Sequence, residues 1–135
     1  MRFRPFALAC AILLAATAAG AASEEAAWRA LRNDGVAVMR HARAPGTGDP
    51  ATFQLSVCAT QRNLSAEGRA QAEAIGARFR AENIEVGAVL HSRWCRARDT
   101  AELAFPGQAE PEPALESLFQ DRAPKEAQTA ALRRI

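Results

Sequence analysis

The sequence predicts an α/β domain with a largely parallel sheet. Short apolar runs that end in basic residues alternate with segments whose apolar residues fall at helical spacing. Glycine and proline gather between those segments, where turns are needed. The 135-residue length suits one modest domain rather than two.

The N-terminus is set aside first. Arg2 and Arg4 precede an apolar run from Phe6 to Ala19 that closes on Ala19-Gly20-Ala21. This run is short of the ~20 residues that span a bilayer. It predicts a secretory signal peptide over 1–21, a mature domain over 22–135 and no stable membrane anchor after cleavage. The expected destination is periplasmic or secreted. Cys10 falls in the discarded part. Cleavage leaves 114 residues with 15 basic and 15 acidic side chains, a balance that gives no support for nucleic-acid binding. All the basic residues except Lys125 are arginine, the side chain suited to bidentate contact with phosphate or carboxylate. Cys58 and Cys95 remain, and an oxidising destination lets them form a disulfide. With two histidines and no C-x-x-C or H-E-x-x-H spacing, neither a metal nor another cofactor is implied. Oligomeric state has no signature here.

Taken in order, Ser23, Glu24 and Glu25 start a helix that carries Trp28 and Leu31 on its apolar face and closes at Gly35. Val36 to Met39 reads as a buried strand ending at Arg40-His41. From Ala44 to Thr60 the chain holds Pro45, Gly46, Gly48, Asp49 and Pro50, so a long irregular connection is expected. Ser65 caps a helix to about Asn83, with Gly68, Ala72, Ile75, Gly76 and Phe79 on one face and a sheet as its expected neighbour. Val86 to Leu90 reads as a second strand, ending at His91-Ser92-Arg93. A helix follows from about Cys95 to Phe105 and stops before Pro106-Gly107. The last helical pattern begins near Pro124. Ligands of such sheets bind beyond the carboxyl ends of the strands, so basic strand ends predict an anion site.

The motifs sharpen this. Val38-Met39-Arg40-His41-Ala42-Arg43, Leu64-Ser65-Ala66-Glu67-Gly68-Arg69-Ala70-Gln71-Ala72 and Ser92-Arg93-Trp94-Cys95-Arg96-Ala97-Arg98-Asp99-Thr100-Ala101 follow one another in order. Together they resemble the signatures of the histidine phosphatase (phosphoglycerate mutase-like) superfamily: a strand ending in R-H-G, a helix start L-[ST]-x-x-G-x-x-Q-A, and S-x-x-x-R-A-x-x-T-A opening a later helix. Ala42 stands where many members have glycine. The resemblance implies a three-layer α/β/α fold and a phosphohydrolase acting on small phosphorylated substrates. His41 would be the nucleophile that becomes phosphohistidine, and Arg40 and Arg96 would clamp the phosphoryl oxygens. A phosphomutase and a noncatalytic phosphoryl-binding protein are the alternatives.

Arg43, Arg62 and Arg93 are further candidates for the pocket, each also readable as a solvated surface residue. Glu116 and Asp121 are candidates for a general acid. His91 reads as a strand-end residue, and Trp28 and Trp94 as packing residues. Neighbouring guanidinium groups should lower the pKa of His41 and keep it neutral for attack.

The family's second catalytic histidine follows a later strand. The expectation is therefore an incomplete domain, with C-terminal strand or strands missing. Reading the gene beyond codon 135 checks this: the rest of a helix, a short β-branched strand and then a histidine should follow.

Overall fold

The structure, a computed structural model, describes residue 20 and residues 23–118 and 121–135. Apart from Gly20, the expected signal segment lies outside the described residues. The chain divides into two compact units, 1–38 and 39–135, and each is taken by itself.

In the first unit a helix, α1, covers residues 23–32. Side chains one and two turns apart brace it: Trp28 Nε1 donates to Glu24 Oε1 at 3.2 Å, and Arg32 pairs with Glu25 at 2.7 Å. The helix ends as Asp34 takes a left-handed φ of 60° and the Gly35 N–H returns to Ala30 O at 3.0 Å. Gly35 thus follows the left-handed residue rather than supplying it.

The expected strand at Val36–Met39 is absent. Val36 and Val38 are 87% and 90% exposed, and Met39 is half exposed. β-Branched residues favour extended backbone, but a strand exists only through a ladder of hydrogen bonds to a neighbour. No strand among the described residues pairs with this segment.

The second unit holds the rest. Helix α2, Ala66–Ala81, starts where Ser65 Oγ accepts the Gly68 N–H, as its sequence predicts. Strand β1, Val89–His91, is shorter than expected and runs through His91. Helix α3, Cys95–Ala104, leads to strand β2, Ala109–Pro111. β1 and β2 are parallel, with Val89 opposite Ala109 and His91 opposite Pro111, so β1–α3–β2 is a crossover unit. Helix α4, Lys125–Leu132, begins after Pro124. Gln128 Nε2 reaches back from α4 to Glu116 O at 3.2 Å.

Small residues on α2 do not meet a sheet as expected. They meet α3 and the chain after His41. A Cβ on Gly76 would lie 1.9 Å from Ala104 O, and one on Gly68 would lie 2.0 Å from Arg43 O. Ala72 and Ala104 are buried in the same seam, and Phe79 meets Phe105 edge to face at 5.3 Å. That ring pair contributes roughly 0.5–1.5 kcal/mol beyond its buried area.

The Cys58–Cys95 disulfide is present, with Cα atoms 5.6 Å apart. It joins a short 3-10 turn, Cys58–Thr60, to the first residue of α3. Closing 37 residues of sequence could contribute about 3–4 kcal/mol by restricting the unfolded chain.

Because Gly76 backs directly onto a carbonyl, Gly76→Ala should force α2 and α3 apart. The expected cost is about 1–3 kcal/mol, an overpacking penalty readable by urea titration. Unchanged stability would show that the helices separate freely.

Candidate active site

Residues 41–43 are fixed from two sides. The Thr100 hydroxyl on α3 accepts the Ala42 N–H at 2.9 Å and donates to Arg96 O at 2.7 Å. On the α2 side, the Arg43 N–H donates to Gln71 Oε1 at 2.9 Å, and Arg43 O accepts the Ser65 N–H at 3.1 Å. Gly68 gives that carbonyl the room it needs. The second and third motifs therefore hold the first. Ala42 is 3% exposed and has no left-handed φ, so its backbone does not require glycine.

Beside this clamp lies a cavity of about 440 Å³. Arg40, His41, Arg62 and Arg96 line it, together with residues 46–49 and Trp94. Asp49 is the only acid in that lining among the described residues. Arg96 is buried, stacked 4.7 Å over the Trp94 ring and paired through Nη1 with Asp49 Oδ1 at 3.0 Å. Trp94 stacks in turn on Phe53 at 4.8 Å. Gln61, also buried, accepts the Cys95 N–H at 3.0 Å and so caps the start of α3.

The Nδ1 atom of His41 lies 2.7 Å from Ala42 O. A carbonyl can only accept, so Nδ1 carries the proton and Nε2 of the neutral ring keeps its lone pair. Burial pushes the His41 pKa below its ordinary value of 6.5, and the Arg96, Arg40 and Arg62 charges push it the same way, against the bond to Ala42. Desolvation is the larger cause, where the sequence pointed to the guanidinium groups alone.

The other candidates divide. Arg62 lines the cavity, but its Nε and Nη1 donate to Gly48 O and Ala44 O and so hold the loop. Burial lowers the Arg62 pKa, helped by Arg96. Arg43 does not line the cavity; its backbone is used and its side chain is exposed. Glu116 is bound by the Arg93 N–H and guanidinium, at 3.1 and 2.7 Å, and neither residue lines the cavity. Asp121 caps Ala123 N–H on the surface. His91 is buried in β1, its Nδ1 2.7 Å from Ser92 O, and lies outside the cavity lining. Trp94, read from sequence as packing, does pack, and it also forms part of the wall. Asp49 carried no local signal beyond its turn-rich setting.

Buried Arg96, half-buried Arg62 and exposed Arg40 surround His41 on an α/β scaffold, and this gathers positive charge around one imidazole. The model of the histidine phosphatase superfamily (branch 1) matches residues 36–124, about two thirds of the chain, and the protein belongs to that superfamily. Its members include phosphatases and mutases, and they act on small phosphorylated substrates. No curated protein and no solved structure matches the chain.

In the free protein His41 should titrate below 6.5, as read by NMR of its ring. Between its folded and unfolded pKa values the unfolded chain binds more protons. His41's contribution to stability therefore rises with pH through that window and is lost on acidification. A value above 6.5 would contradict the burial of the ring.

Proposed function

We propose that the protein is an exported phosphohydrolase that cleaves phosphate monoesters through a phosphohistidine on His41. The observation that carries this reading is the convergence of His41, with its Nδ1–H bound to Ala42 O, and three arginines on one cavity. Guanidinium groups offset charge on the equatorial phosphoryl oxygens, so catalysis here is positioning and electrostatic stabilisation. The Nε2 lone pair attacks phosphorus, the P–O ester bond breaks and the alcohol oxygen leaves with the electron pair. Water then attacks the same phosphorus and the P–N bond breaks, its electron pair returning to Nε2. Phosphate is released, and the proton that water loses balances the one the departed alcohol oxygen takes from solvent. Arg40 and Arg96 hold the oxygens through both steps. Export to the periplasm or beyond is supported by the basic-then-apolar N-terminus and by the Cys58–Cys95 bond.

Asp49 is engaged with Arg96, and Glu116 with Arg93. Neither is set up to hand a proton to the leaving alcohol. Turnover should therefore depend steeply on the leaving group, with aryl phosphates cleaved faster than alkyl phosphates. Rapid acid-free quenching with labelled aryl phosphate should trap label on wild-type protein and none on His41→Ala, with hydrolysis lost in parallel. Label that persists in His41→Ala would place the nucleophile elsewhere. Transfer of label to a second phosphorylated acceptor in preference to water would make the protein a mutase, and binding without turnover would make it a noncatalytic phosphoryl-binding protein.

A further inference from the structure

Arg96 is held by more than its own helix. Its Nη1 donates to Asp49 Oδ1 at 3.0 Å and approaches Arg62 O at 3.4 Å, while the guanidinium plane rests on Trp94. Its Nε is buried and has no hydrogen-bond partner among the described residues. A buried N–H without an acceptor is costly, and a donor of this kind in an anion pocket is what an arriving oxygen would satisfy. Asp49 is itself fixed: the same Oδ1 accepts the Arg62 N–H at 2.8 Å, and its side chain is only 4% exposed. The loop that carries it is gripped by the Arg62 side chain through Gly48 O and Ala44 O.

We infer that Asp49 is a positioning residue, which ties up the Nη1 tip of Arg96 and thereby turns its Nε–Nη2 edge to receive two phosphoryl oxygens. The inference rests on the phosphoryl-site reading above. Side-on bidentate binding of this sort uses the fork geometry of guanidinium, which is lost if the plane rotates. A purely electrostatic view gives the opposite sign. A carboxylate in a cationic pocket repels phosphate, so removing it should tighten binding. Positioning predicts that its removal loosens binding.

That opposition makes the test direct. Inorganic phosphate is titrated calorimetrically into the full chain as wild type, Asp49→Ala, Asp49→Asn, Arg96→Ala and Asp49→Ala/Arg96→Ala, with thermal unfolding of each alongside. Asp49→Ala should weaken phosphate binding by about ten- to a hundredfold, the scale of a misplaced binding group. Asp49→Asn, which keeps an acceptor for the Arg62 N–H and for Nη1, should recover part of that loss even if the alanine variant folds poorly. In the Arg96→Ala background the Asp49→Ala change should have no further effect, because the two act as one unit. In wild type the Arg96 Nε–H resonance should shift on adding phosphate.

Tighter or unchanged binding in both Asp49 variants would overturn the inference, as would additive losses in the double variant. Because binding is read without turnover, intact phosphate binding with no hydrolysis would overturn only the hydrolase reading. Absence of phosphate binding in wild type would overturn the anion site and this inference with it.

Discussion

Thr100 sits in the interior of α3, yet its hydroxyl serves two elements at once. It donates to Arg96 O one turn back in its own helix and accepts the N–H of Ala42, 58 residues away in sequence. Buried and 5% exposed, it leaves neither partner an exchange with water. The two bonds couple the backbone of the segment that carries His41 to the backbone of the buried Arg96. If Ala42 shifted, its carbonyl would carry the His41 ring with it, since Nδ1 is bound there. The geometry of the cavity thus depends on a hydroxyl that never lines it.

The same logic explains why the three motifs have the residues they do. Gly68 is small because the Arg43 carbonyl presses on it, and Gln71 reaches the Arg43 N–H from the next turn. Ser65 caps α2 with its side chain and gives its N–H to Arg43 O. Each is a local helix residue by propensity and a long-range clamp by contact. This is why the helix starts were legible: a cap and a small apolar face can be read from neighbours in sequence. The class of fold followed, and so did the disulfide, from cysteine count and expected compartment.

What could not be read depends on distance in sequence. Asp49 and Arg96 are 47 residues apart, and Gln61 and Cys95 are 34 apart, so no local pattern announces either contact. Trp94 looked like core, and it is; only the fold reveals that its face carries a guanidinium. Arg43 drew notice for its charge, but what the fold uses is its peptide N–H and C=O. Val36 to Met39 had the composition of a strand without a described neighbour to complete the ladder. Periodicity reports what a segment could bury, whereas pairing is decided elsewhere in the chain.

Charge sets the balance inside the cavity. Arg40, Arg62 and Arg96 bring three positive charges to its lining, Asp49 brings one negative charge, and His41 is pushed toward neutrality. Two positive charges remain uncompensated, a balance that favours an anion. Gathering like charges works against folding, because Arg96 and Arg62 lose water and the three guanidinium groups repel one another. The surrounding structure has to bear that load. Arg62 is spread over backbone carbonyls, Arg96 rests on an aromatic face, and the Cys58–Cys95 bond ties the chain leading into Arg62 to the residue next to Arg96. A site built this way is preorganised: the cost of assembling the charges has been met in folding, so an anion bound there would relieve repulsion instead of creating order.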